Sequence, residues 1–329
     1  MKSVFDGKSV LVTGASGLIG RHLISLLLKY NTKITAVSLD KLGHVEQNKQ
    51  IKWINGDLRD FATCKKLAET ADIVFHLAGI KGSPLLTNKQ PSTFFVNTMM
   101  FNLNMIEAAR QSKVQNFLYT STVGVYSPAP IFYEKSVWET MPSKNDWFAG
   151  WAKRMGELQI EAAQIEYGWK GTHIVRPSNV YGPGDNFDPA TSMVIPSLIA
   201  RVAKGENPLK VWGDGSNIRD FIHALDVARA MLFVVENDIN EPVNIGCGSG
   251  TSILELTEIL KSICPTLEII WDTSMPGGDE SRVLDMTTLR NYGFELSIPL
   301  REGIEETYSW FLENKNVNIG RYDAFAEKT

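Results

Sequence analysis

The sequence predicts an α/β chain, a doubly wound parallel sheet with a smaller, interleaved C-terminal lobe. Three observations carry this. Lys8 to Gly20 reads KSVLVTGASGLIG, an apolar run, three glycines and then an amphipathic stretch. Apolar runs of strand length then alternate with helix-period segments to about residue 180. Past Gly184 the alternation loosens. Residues 1–180 are therefore read as a nucleotide-binding unit, with strands returning from about 215–250. Residues 181–329 are read as the substrate lobe.

The opening stretch is strand, glycine turn, helix. Val10-Leu11-Val12 suits a buried parallel strand, and Leu18 to Leu28 has helical spacing. Gly14, Gly17 and Gly20 let the backbone curl tightly against a pyrophosphate with no Cβ in the way. A helix starting there aims unpaired N–H groups and a positive dipole end at the phosphates. Gly14, Ser16, Gly17, Leu18, Ile19 and Gly20 are the candidate phosphate-binding residues. The second strand, from Lys33, ends at Asp40. A carboxylate there can accept hydrogen bonds from ribose hydroxyls and repels a 2′-phosphate, which favours NAD over NADP. Arg21 and Lys41 stand near enough in sequence to partner a 2′-phosphate, and an ordinary strand-end turn would also place an Asp here. Further strands are expected at Ile51 to Asp57, Asp72 to Gly79 and Asn116 to Tyr126, with a helix from about Pro91 to Ser112.

Composition narrows the function. A 329-residue chain that is 43% hydrophobic can build a sizeable core. The net charge of −4 without a basic block leaves no footprint for nucleic acid or an anionic membrane. Cys64, Cys247 and Cys264 have neither metal-ligand nor disulfide spacing, so no metal is expected and a reducing cytoplasm fits. No apolar run reaches the ~18 residues needed to span a bilayer. The first strand begins too early for a leader segment.

TGASGLIG, GDLRD, HLAG, the STVGVY block and RPSNVYGPG together resemble the extended short-chain dehydrogenase/reductase superfamily, in particular its nucleotide-sugar epimerases, dehydratases and reductases. The resemblance runs from about Ser9 to Phe311. It implies a Rossmann domain binding NAD, a nucleoside-diphosphate sugar as substrate and a homodimer. It implies that Asp57 and Leu58 flank the adenine, that Leu77, Ala78 and Gly79 line the cofactor, and that Pro177 abuts the nicotinamide. Asn179 would contact the sugar diphosphate, with Val194 and Trp212 bordering the base. The WAKRMGE run is more similar to GDP-sugar members than to UDP-sugar members.

The same resemblance implies a Ser/Thr, Tyr, Lys set. The phenol exchanges a proton with the sugar hydroxyl, the ammonium lowers the phenol pKa and binds the ribose, and the hydroxyl positions the substrate oxygen. Thr122 and Lys153 match. Four residues before Lys153, one helical turn away, stands Ala149 where the family has tyrosine, and Phe148 has no hydroxyl. Three readings stand open. Hydride transfer runs without that phenol, with Thr122, a water on Lys153, Tyr126 or Tyr181 carrying the proton. A tyrosine has been replaced. Or the chain binds nucleotides and turns nothing over. The first is preferred, as 4-epimerase or 4-dehydrogenase, with a 4-keto-sugar reductase or a non-catalytic sensor as alternatives. Val123 and Gly124 supply no acid–base pair for dehydration. His76, His223 and Asp226 are read as structural.

In the second half, Arg219 and Arg282 come from separate loops and suit a diphosphate, because guanidinium binds oxyanions in a bidentate way. A C-terminal helix from about Leu300 to Leu312 is expected to pack on the substrate lobe. From Glu313 the polar tail is expected to be loose.

Overall fold

The structure is a computed structural model that describes residues 3–40, 48–80, 87, 89–188, 191–275, 278–314 and 321–325. Lys41 lies outside the described residues. The strands of the first half are β1 (Ser9–Thr13), β2 (Lys33–Ser38), β3 (Ile51–Asn55), β4 (Ile73–His76), β5 (Asn116–Thr120) and β6 (Thr172–Pro177). The helices among them are α1 (Leu18–Leu27), α2 (Phe61–Ala68), α3 (Pro91–Gln111) and α4 (Trp147–Tyr167). The second half adds β7 (Asn179–Tyr181), β8 (Leu209–Trp212), β9 (Ile218–Arg219), β10 (Phe221–His223), β11 (Val243–Ile245), β12 (Thr251–Ser252), β13 (Ile269–Asp272) and β14 (Ser281–Arg282). Its helices are α5 (Val194–Ala203), α6 (Ala224–Glu236), α7 (Ile253–Ile263), α8 (Thr287–Asn291) and α9 (Leu300–Glu313).

Seven strands form one sheet in the order β11-β6-β5-β4-β1-β2-β3, every pair parallel. Both faces are covered, as a parallel sheet of nearly unbroken apolar strands requires. On one face Leu23 and Leu27 of α1 and Val227, Met231 and Val234 of α6 share a core with Val10, Val12 and Phe75. On the other, Cys64 and Leu67 of α2, Met105 and Ile106 of α3 and Ile160 of α4 pack with Leu11, Val74 and Phe117. The strand order reverses between β1 and β4, and a ligand crevice opens outside the strand C-termini at such a reversal.

The glycine turn has two distinct demands. Gly14 has φ +65°, a conformation that glycine takes without strain. A Cβ on Gly20 would lie 2.5 Å from the Gly14 carbonyl oxygen, so this glycine lets α1 sit directly against the turn. The fifth strand is shorter than expected. It ends at Thr120, and Val123–Val125 is a single 3₁₀ turn whose Gly124 N–H is met by the Thr122 hydroxyl. A run of β-branched residues looks like strand, but the capping oxygen of Thr122 turns the chain.

A third core joins Tyr181, Phe187, Leu198, Leu209, Leu256, Ile304 and Phe311, and α9 packs there. Small sheets accompany it: β7 with β10, β8 with β13, and β12-β9-β14. Asp220, fully buried, ties this region to the end of β6. Its carboxylate accepts from the Cys247, Gly248 and Leu284 N–H groups and from the Ser178 hydroxyl. No helix among the described residues is long and apolar enough to cross a membrane.

Candidate active site

A cavity of about 750 Å³ follows the strand C-termini. At one end it meets Gly14, Ser16, Gly17, Leu18, Ile19 and Gly20. Gly17 is the N-cap of α1 and supplies no side-chain acceptor, so the first N–H groups of that helix are left for a ligand. Asp40 lies beyond the turn, its carboxylate accepting from the Ser16 hydroxyl at 2.6 Å. Asp57, Leu58, Leu77, Ala78 and Gly79 line the same cavity. Asp57 is paired with Arg59 at 2.7 Å, and the hydrogen bonds from that guanidinium hold its carboxyl below the usual range.

The opposite end is built from β5, β6 and α4. Lys153, Thr122, Ala149, Pro177 and Asn179 all face the cavity. The Lys153 ammonium donates to the Thr120 carbonyl at 2.8 Å. Burial lowers its pKa to about 8, and the Glu157 charge opposes that fall. The Thr122 hydroxyl accepts the Gly124 N–H at 3.2 Å and keeps its own proton to give. Thr120 Oγ1 and Ser121 Oγ are buried and have no partner among the described residues. Both residues line the cavity, but the two hydroxyl oxygens themselves are occluded.

The expected proton carriers fare differently. Ala149 stands one turn from Lys153 on the cavity side of α4, where the family's tyrosine would be. Tyr126 is committed elsewhere: its phenol donates to Asn244 Oδ1 at 2.6 Å, and burial pushes its pKa up. Tyr181 reaches the cavity wall, but its phenol donates to the Leu300 carbonyl at 3.2 Å. Tyr119 is buried and donates to the Lys153 carbonyl at 3.2 Å. His76 is bonded through both ring nitrogens, to Thr13 and Asn102, and burial lowers its pKa to about 3. His223 caps α6, and Asp226 accepts from the Ser297 and Ile298 N–H groups.

Arg219 and Arg282 do not come from unrelated loops. They are register partners on β9 and β14, side by side. Arg282 faces the cavity, held by Asp146 at 2.5 Å and by Asp279 at 2.5 Å. Arg219 lies behind it, its pKa lowered to about 10 by burial and then by the Arg282 charge. Val194 lines the cavity, whereas Arg219 and Trp212 are outside its wall, and Trp212 is 51% exposed on β8. Sequence reasoning missed Ser121 and Arg59, although both lie within the quoted STVGVY and GDLRD blocks, and Asp146, which lies in none of the quoted motifs. It also missed the tail. Residues 321–325 are not loose but form part of the cavity wall beside Asp40, with Ala324 buried. The aromatic pair Tyr322 and Phe325 in a polar stretch was the available signal.

Residues 10–246 match the model of the NAD dependent epimerase/dehydratase family. The chain is 31% identical to a protein named probable GDP-L-fucose synthase 1 from Oryza sativa subsp. japonica, covering 94% of this chain and 93% of that one. It is 29% identical to a dTDP-4-dehydro-6-deoxy-D-allose reductase from a Streptomyces species, covering 94% and 98%. Among solved structures it resembles a GDP-L-fucose synthetase from Naegleria fowleri bound to NADP, with a TM-score of 0.80, 25% identity, and 95% and 96% of the two chains covered.

Proposed function

The chain belongs to the NAD-dependent epimerase/dehydratase family, and from that premise we propose that it moves a hydride at C4 of a nucleoside-diphosphate sugar, working as a reductase of a 4-keto sugar. The observation that carries the direction is the pairing of an alanine at position 149 with a buried Lys153 whose pKa is about 8. Near neutral pH that side chain is an ammonium, so the site holds an acid but lacks the phenolate that oxidation needs as a base. The names of the relatives point the same way, a fucose synthase and a 4-dehydro-sugar reductase.

The residues present fit a nicotinamide dinucleotide. The uncapped α1 N-terminus suits a pyrophosphate, and Lys153, Thr122 and Pro177 line the other end of the same cavity. When bound, a reduced nicotinamide supplies the hydride. Thr122 would donate a hydrogen bond to the substrate carbonyl oxygen and hold the ketone in place. As the carbonyl carbon gains hydride, the π pair moves to oxygen. That oxygen takes a proton from the Lys153 ammonium, directly or through one water, and solvent restores the ammonium. Arg282, backed by Arg219, suits the diphosphate. The substrate would displace the Asp146 and Asp279 carboxylates from part of that guanidinium. The GDP base is the first choice from the WAKRMGE run and the named relatives. The exposed apolar residues Val96, Met100 and Leu103 on α3, with Leu158 and Ile165 on α4, support a homodimer packed through these helices. A monomer in sedimentation would reject that part.

A 4-epimerase is the second reading, favoured by the family's own description. It needs both a base and an acid in one site. The deciding experiment denatures the purified protein and identifies released nucleotide by mass. The intact protein is then incubated with NADH or NADPH and GDP-, dTDP- and UDP-linked 4-keto-6-deoxy sugars, and with the parent hexoses. Loss of reduced nicotinamide with a new 4-hydroxy sugar supports the reductase. Exchange of the 4-configuration with no net cofactor change supports the epimerase. Cofactor binding without turnover of any sugar sinks both.

The pH profile follows from Lys153. If its ammonium is the acid, kcat/KM is level below pH 8 and falls above it, as the group loses its proton near about 8. Lys153→Arg is slower and loses this descending limb, because guanidinium does not titrate in the range. A limb unmoved by that variant would assign the proton to another group.

A further inference from the structure

Lys153 is held by more than the Thr120 carbonyl. That hydrogen bond is the one its ammonium makes among the described residues, and a buried cation with three N–H donors needs further stabilisation. The Tyr119 ring supplies it. The ammonium nitrogen lies over this ring, 5.1 Å from its centroid and within reach of the negative face of the π system. The same side chain goes on to the backbone of α4. Its phenol donates to the Lys153 carbonyl at 3.2 Å, which ties β5 to the helix at the residue that carries the charge. A Cβ on Gly156 would stand 2.3 Å from the Tyr119 hydroxyl oxygen, so α4 has a glycine where the phenol enters. The His76 ring stacks on Tyr119, with centroids 6.1 Å and planes 21° apart, and is itself fixed by Thr13 and Asn102.

The other charged or titratable groups near Lys153 are already answered. Glu157 forms the bidentate pair with Arg176 of β6. Asp146, at the start of α4, is paired with Arg282. Arg154 donates to the Val125 and Thr140 carbonyls. His76 of β4 is neutral, because burial lowers its pKa to about 3. Burial pushes the Tyr119 phenol well above its ordinary range, so it is neutral as well. Among the described residues no carboxylate contacts the ammonium, and the aromatic face is its nearest source of negative potential besides the Thr120 carbonyl.

We propose that Tyr119 is a positioning residue for Lys153, its ring face holding the ammonium at the cavity wall and keeping it charged there. The phenol, Gly156 and His76 place the ring. This deepens the reading of Lys153 as the proton donor and takes its catalytic meaning from that reading.

The test measures the Lys153 amine without turnover. The intact protein is acetylated with acetic anhydride across neutral and alkaline pH, and labelling at Lys153 is read by peptide mass. The unaltered protein should show a midpoint at about pH 8. Tyr119→Phe keeps the ring and is the baseline of a series in which ring-fluorinated phenylalanines occupy position 119. Fluorination preserves the shape but drains the negative face, so the midpoint should step to lower pH, by about half a unit to one unit at full substitution. Tyr119→Leu removes the ring and should fall by a similar amount. A midpoint that stays at the Tyr119→Phe value along the fluorinated series would overturn the proposal, because a packing role alone predicts that result. The descending limb of kcat/KM should follow the labelling midpoint. A midpoint that steps down while the limb stays in place would support the role of Tyr119 and remove Lys153 as the proton donor.

Discussion

Ala149→Tyr raises turnover by about 10²–10⁴-fold, the usual contribution of a positioned proton carrier. The substitution places a phenol on the cavity side of α4, one turn from Lys153, with Thr122 lining the same cavity. Lys153 is buried and cationic near neutral pH, so its charge would lower the phenol pKa. The gain should depend on that charge and shrink sharply when Lys153→Met is added. Steady-state rates of the four proteins, unaltered, each single variant and the double, measure the coupling directly. Turnover within twofold of the unaltered protein would mean that the native proton path does not pass this position.

Glu157→Ala costs about 3–5 kcal/mol of stability, because it leaves the Arg176 guanidinium buried without its counter-charge. The pair is bidentate, Nε to Oε1 at 3.0 Å and Nη2 to Oε2 at 2.6 Å, with side chains 1% and 2% exposed. Arg176 also donates to the Tyr126 phenol and the Glu134 carbonyl, so one guanidinium joins α4, β6 and the turn after β5. Replacing both partners with methionine should cost less than the single change. Urea midpoints at constant slope distinguish the two cases. The loss reaches the active site too. Glu157 supports the Lys153 charge, so Glu157→Gln, which keeps the shape, should move the Lys153 limb of the pH profile to lower pH. An unchanged limb would show that Glu157 acts on packing alone.

The fold was legible because its signals are local. The glycine turn, the apolar strands and the helix-period segments each announce themselves over short stretches of sequence. Lys153 and Thr122 were legible through motif spacing, and the structure puts both on one cavity. What escaped is long-range. Arg219 and Arg282 read as separate loops because nothing in sequence shows that β9 and β14 pair in register. The Glu157–Arg176 bridge joins a helix to a strand, and neither residue's neighbours signal its partner. Arg321 escaped for another reason. Polar composition suggests solvent, yet its guanidinium is spent on two carbonyls at the far end of the cavity.

The seventh strand has a consequence for synthesis. The edge of the sheet beyond β6 is closed only by β11, which emerges from the ribosome after the entire stretch from Ser178 to Pro242. Until then the nascent chain carries β6 as an open parallel edge, a template for pairing with other chains. The residues translated in between must leave that edge accessible while they assemble their own core. Biogenesis therefore depends on keeping neighbouring nascent chains apart during that interval, and slower translation across it lengthens the exposure to aggregation.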